Sequence, residues 1–237
     1  MTFISKRTEP ALLTQWRLEN KKAPQNLSYD NMPKAEVRDS LLAEQGNICG
    51  YSMWRISSPN KGHIEHIRSQ KLARERRKEG GTDFSDIDYA NMVYCYPGED
   101  EKKCEFGARK KDSAPVSHDT FISPLDPKCQ GRFRFEKDGK VGPDQKDDVP
   151  ATATIALLGL NADRLTKARA AAIRSLPIFQ GKRLVSANEA KKRARLALER
   201  AADGAFPEFA VALHQVLSRY ADKRAAKEAG FAKASRD

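Results

Sequence analysis

Gly62-His63-Ile64-Glu65-His66-Ile67 is the stretch on which the reading of this chain turns. It follows a turn cluster, Ser57–Gly62, and His63–Ile67 reads as a short strand with His63 and Glu65 on one face. Upstream, Ile48–Ile56 (ICGYSMWRI) is rich in strand formers, so a hairpin-like pairing of 48–56 with 63–67 is expected. Further upstream, Lys34–Gln45 places Val37, Leu41 and Leu42 at helical spacing and is stopped by Gly46-Asn47. Residues 1–33 read as an irregular arm with a short helix near Pro10–Arg17.

Downstream, Arg68–Glu79 is a polar helical run closed by Gly80-Gly81. Asp86–Tyr96 follows, with Met92, Val93 and Tyr94 as core candidates, then a charged loop and the short basic segment Cys104–Asp112. Asp138-Gly139 between Arg132–Phe135 and Val141 is a hairpin signal, so residues 121–143 are expected to be a β element. From Pro150 the character turns helical over Ala151–Leu158, Ala162–Ser175, Ala187–Ala202 and Phe209–Arg219. His118 and His214 read as structural. The expected fold class is α+β: an arm (1–33), a core with the hairpin (34–148), a basic helical region (149–222) and a flexible tail (223–237).

The chain has 237 residues, 39% of them hydrophobic, enough for a sizeable core. No 18-residue apolar run exists and Met1–Arg7 has no apolar stretch after its charges. A membrane span and a secretory signal are therefore not expected. Four cysteines do not make a disulfide scaffold, and a reduced, cytoplasmic setting is expected. The net charge of +11 is unevenly spread: residues 151–237 hold 17 Lys+Arg against 8 Asp+Glu, and residues 1–150 hold 26 against 24. A basic excess of this kind suits a phosphate backbone, and equally a solvated helical surface.

An acidic residue directly before a histidine (Glu65-His66), an asparagine about 25 residues on (Asn91) and a further metal-capable residue downstream (Glu105, after Cys104) resemble the HNH, or ββα-metal, nucleases. The blocks Glu9-Pro10…Leu12…Trp16, Lys34…Arg38…Leu41-Leu42…Gln45-Gly46…Cys49-Gly50-Tyr51 and Phe121-Ile122-Ser123-Pro124-Leu125-Asp126-Pro127…Cys129…Arg132-Phe133 occur in the order of a narrower family. It comprises the HNH nuclease subunits of Septu-type and retron-associated antiphage systems, the PtuB-like proteins. The resemblance covers most of residues 9–170.

That resemblance implies a ββα-metal core around residues 34–120 and metal-dependent hydrolysis of phosphodiester bonds, in DNA rather than RNA. His66 matches the general base and Asn91 the residue that backs it or its loop. Glu65 and Glu105 match ligands of one divalent ion, Mg²⁺ or Mn²⁺, with His63 and Asp112 as accessory candidates. Arg68, Lys71, Arg109, Lys110 and Lys111 are candidates for phosphate contact. The resemblance also implies an ABC-type ATPase as partner; no Walker A loop is present here, so any ATP hydrolysis would reside in that partner. Cys49, Cys95 and Cys104 stand near the positions of a structural zinc site in such proteins. Ser52 stands where a fourth cysteine belongs and Cys95 is displaced by one, so a complete four-cysteine zinc site is not expected. The alternatives are an RNase of the same fold, an inactive nucleic-acid-binding module, and a scaffold whose C-terminal helices dock a protein partner.

Overall fold

The computed structural model describes residues 1–234 apart from 102, 118, 182 and 183, so the reading of His118 lies outside the described residues. It is a mixed fold in which helices surround two small antiparallel sheets. Helix α1 (Ala11–Glu19) and helix α2 (Lys34–Glu44) come first, and α2 buries Val37, Leu41 and Leu42 as its periodicity requires. Gly46 follows at φ +63, where a Cβ would strike the backbone and ring of Phe206, so only glycine fits.

Strand β1 (His63–His66), helix α3 (Gln70–Lys78), strand β2 (Met92–Cys95) and the one-turn helix α4 (Ala108–Lys111) form the centre. β1 does not pair with 48–56, as the sequence led us to expect. It pairs antiparallel with β2, with His63 opposite Cys95 and Glu65 opposite Val93. Residues 48–56 instead turn back on themselves. Met53 adopts φ +61, the Cys49 amide donates to the Trp54 carbonyl, and Ile48 and Arg55 make a single bridge. The outer edge of β2 is closed by the Gln45 side chain. It accepts from the Tyr94 amide (2.6 Å) and donates to the Tyr94 carbonyl (2.7 Å), so no open strand edge remains at Tyr94.

Strands β3 (Phe133–Phe135) and β4 (Val141–Pro143) form the expected hairpin, with Gly139 in its turn. Helices α5 (Val149–Leu157), α6 (Asp163–Arg174), α7 (Pro177–Gln180), α8 (Ala187–Leu196) and α9 (Ala210–Ala234) follow. α9 runs unbroken through most of the stretch from 223 that composition marked as a tail. It packs along α8, and Gln215 bonds both the Phe135 amide and the Phe133 carbonyl of β3. The N-terminal residues are no peripheral arm. Met1 and Ile4 are buried in the same apolar cluster as β2, β3 and α9, and Lys6 pairs with the buried Glu44. Among the described residues no helix is long and apolar enough to cross a membrane.

Candidate active site

β1, the start of α3 and α4 enclose a cleft of about 550 Å³ lined by His63, Glu65, His66, Lys71, Arg109, Lys111 and Asp112 among others. The α3 end of this wall is fixed by Ser69, whose hydroxyl accepts from the Lys71 amide as an N-cap. α4 is set between two residues of positive φ, Gly107 (+72) and Asp112 (+48). The Gly107 amide donates to the Leu158 carbonyl, which ties α4 to the end of α5.

His66 is 5% exposed. Its Nε2 lies 2.9 Å from the Asp86 carbonyl. A carbonyl only accepts, so Nε2 carries the proton and Nδ1 is the ring's basic nitrogen. Burial lowers the His66 pKa below 6.5, which keeps the ring neutral at pH 7. Tyr29 packs edge-on against it, with ring centroids 4.9 Å apart. Asp86 is itself pinned, its buried carboxylate taking a bidentate pair of hydrogen bonds from Arg77. His63 is arranged the other way round. Its Nδ1 donates to the Pro97 carbonyl (2.5 Å), leaving Nε2 basic, and burial again lowers its pKa.

Glu65 lies between these histidines in sequence, its side chain 14% exposed. Burial pushes its carboxyl up to about 7, against the opposing attraction of Lys111. Lys111 was read from sequence as a nucleic-acid contact. The structure corrects this: its side chain is 2% exposed, with Nζ 2.8 Å from Glu65 Oε1 and 3.2 Å from the His66 carbonyl. The ammonium is thus the partner of that buried oxygen. The buried hydroxyl of Tyr51 lies beside the same carboxylate, and burial together with that charge holds its proton on.

Asn91 sits outside the cleft, as a staple. Its side chain accepts from the Arg68 amide (2.8 Å) and donates to the carbonyls of Arg68 (3.0 Å) and Ser85 (2.8 Å). It thereby fixes the chain two residues beyond His66. Glu105 is not brought to the cleft. It is exposed, and its backbone lies against Gly159, where a Cβ would come within 2.3 Å of the Glu105 carbonyl oxygen. Asp112 is exposed on the cleft wall. Lys71 is 72% exposed at the rim, Arg109 lines it with hydrogen bonds to Gly98 and Glu99, and Lys110 is exposed. Arg68 is exposed beside Asp88, away from the cleft lining.

Cys49 and Cys95 are buried together, while Cys104 is half-buried. Burial opposes ionisation of Cys49, but hydrogen bonds from the Cys95 thiol and from Ser52 outweigh it and bring the group to about 6. Among the described residues no three His, Cys, Asp or Glu side chains are gathered as a metal cage. Glu65 offers a single carboxylate of the kind a hard, water-rich ion takes as an anchor, and Lys111 stands on it. Tyr29, Tyr51, Asp86 and the pairing of Lys111 escaped the sequence reading. The one signal for Lys111 was its place in the basic run after Cys104.

Neither the protein-family models nor the curated proteins contain a match to this chain.

Proposed function

We propose that this chain is a metal-dependent phosphodiesterase of the HNH, ββα-metal type. In this reading it cleaves DNA as the effector of an antiphage complex with an ABC-type ATPase. The observation that carries the reading is the shared cleft of Glu65 and His66, with the His66 Nε2–H committed to a carbonyl and Nδ1 left basic. The order here is strand, helix, strand, short helix, so α3 stands between the two strands of the ββα pattern that the resemblance implies.

His66 would take the proton of the attacking water at Nδ1. Asp86 and Arg77 would hold its ring, and Asn91 the backbone beyond it. Lys71 and Arg109 would hold the flanking phosphates. A divalent ion anchored by Glu65, with Asp112 and Glu99 the other carboxylates on the cleft wall, would supply Lewis-acid stabilisation of charge on the phosphate. Glu105 has no part in this arrangement.

The test is cleavage of plasmid DNA, linear DNA and RNA by the full chain, with and without the co-expressed ATPase, in Mg²⁺, Mn²⁺ or EDTA. Metal-dependent cutting of DNA that is lost in His66→Ala is the expected result. Cutting confined to RNA would reassign the substrate. Binding without cutting in every condition would leave a nucleic-acid-binding module, the reading favoured by Lys111 standing on the carboxylate.

A further inference from the structure

We infer that Lys111 is a built-in cation that holds Glu65 in the place of a divalent ion, so that the chain as folded is plugged and ion binding requires the ammonium to leave. The inference rests on reading Glu65 as the anchor of that ion.

Three observations carry it. First, the ammonium and the carboxylate are both largely withdrawn from water and only 2.8 Å apart, so a second cation cannot share Oε1 with Lys111 without strong repulsion. Second, the carboxylate is already engaged from within the chain. The Lys111 ammonium stands 2.8 Å from Oε1, and the buried Tyr51 hydroxyl lies beside the same carboxylate. An ion taking Oε1 would have to displace that engagement. Third, Lys111 ends a helix of one turn bounded by positive φ on both sides. At Asp112 that conformation is one a side chain rarely adopts, so lysine is held on the carboxylate at a cost in backbone strain.

Lys111 thus sets which cation occupies the site. A dication feels the ammonium about twice as strongly as a proton does, so deleting the charge favours the dication even though it also favours protonation of Glu65.

The experiment is Mn²⁺ binding to the full-length chain, followed by the electron paramagnetic resonance of free Mn²⁺ at mildly alkaline pH. Lys111→Met is expected to bind about tenfold more tightly than wild type, or better. Lys111→Arg is expected to bind as weakly as wild type, and the gain is expected to vanish in the double variant with Glu65→Gln. Equal affinity of Lys111→Met and wild type, or a gain that survives Glu65→Gln, overturns the inference. Circular dichroism establishes that the variants fold. Should Lys111→Met fail to fold, the wild-type chain decides by NMR of its lysine ammonium groups. The protected Lys111 signal should be lost to solvent exchange in millimolar Mg²⁺, and its persistence overturns the plug. The two readings fail separately. A gain in Mn²⁺ affinity with no cleavage in any condition keeps the plug and rejects the nuclease. Glu65-dependent cleavage with no gain in Lys111→Met does the reverse.

Discussion

At His66 a single carbonyl decides the chemistry, because the Asp86 oxygen fixes which ring nitrogen keeps its lone pair. Removing the ring should lower cleavage by roughly 10²–10⁴-fold. The loss of one hydrogen bond and an edge contact with Tyr29 should cost only about 1–2 kcal/mol of stability. Cleavage rates and urea titrations of His66→Ala check both parts, and a purified variant that cuts like wild type removes the assignment. Glu65 makes a separate prediction in the metal-free chain. Its folded pKa is raised from 4.5 to about 7, so the folded form holds a proton that the unfolded chain has already released. Stability from this group is therefore present below pH 4.5 and is lost as pH rises through about 7, by up to about 3 kcal/mol. His66 has the opposite sign: its lowered pKa removes stability as pH falls below 6.5. Glu65→Gln deletes only the first contribution. The stability of wild type minus that of Glu65→Gln should fall by about 2–3 kcal/mol between pH 4.5 and a pH above 7. A difference that stays flat across that range would mean the carboxylate is not buried as described.

The elements around the cleft show what a sequence conveys and what it leaves out. The strand at His63–His66, the polar helix after it and the hairpin at Asp138-Gly139 were legible, because alternation, caps and turn residues are local signals. The partner of β1 was not. A period-2 pattern says which face is buried but not which strand it meets, and the turn cluster at 57–62 offered a nearer partner than β2. The residue roles divide in the same way. Glu65 and His66 were legible as a neighbouring pair. Glu105 was expected beside them, but it is exposed and does not line the cleft, whereas Lys111 is buried there. Asn91 was legible as a residue that backs the site, and its three hydrogen bonds give that role a magnitude. Asn91→Ala would leave the Arg68 amide and two carbonyls without partners. It should destabilise the chain by about 2–4 kcal/mol and loosen the segment after His66. Urea titration together with amide exchange at residues 66–68 tests this, and an unchanged midpoint with unchanged protection would mean that these hydrogen bonds do not hold the segment.

Over the whole molecule, charge total and charge placement point to different surfaces. The basic excess belongs to residues 151–237, yet the cations that line or rim the cleft come from α3 and α4, in a part of the chain whose acids and bases nearly balance. α8 and α9 pack against each other, and α9 also backs the β3–β4 hairpin, with exposed lysines such as Lys191 and Lys192 on α8 that do not line the cleft. The two candidate surfaces can be separated through counterion release, since each phosphate contact adds about 0.9 to the slope of log affinity against log salt on duplex DNA. If the cleft engages the substrate, Lys71→Gln with Arg109→Gln should reduce that slope by about 2 and weaken binding most at low salt. Lys191→Gln with Lys192→Gln, an equal change in net charge, should then leave the slope nearly unchanged. Fluorescence anisotropy of a labelled duplex across a salt series measures both. The reverse ranking would move the nucleic-acid surface to α8 and leave the cleft without a backbone to cut.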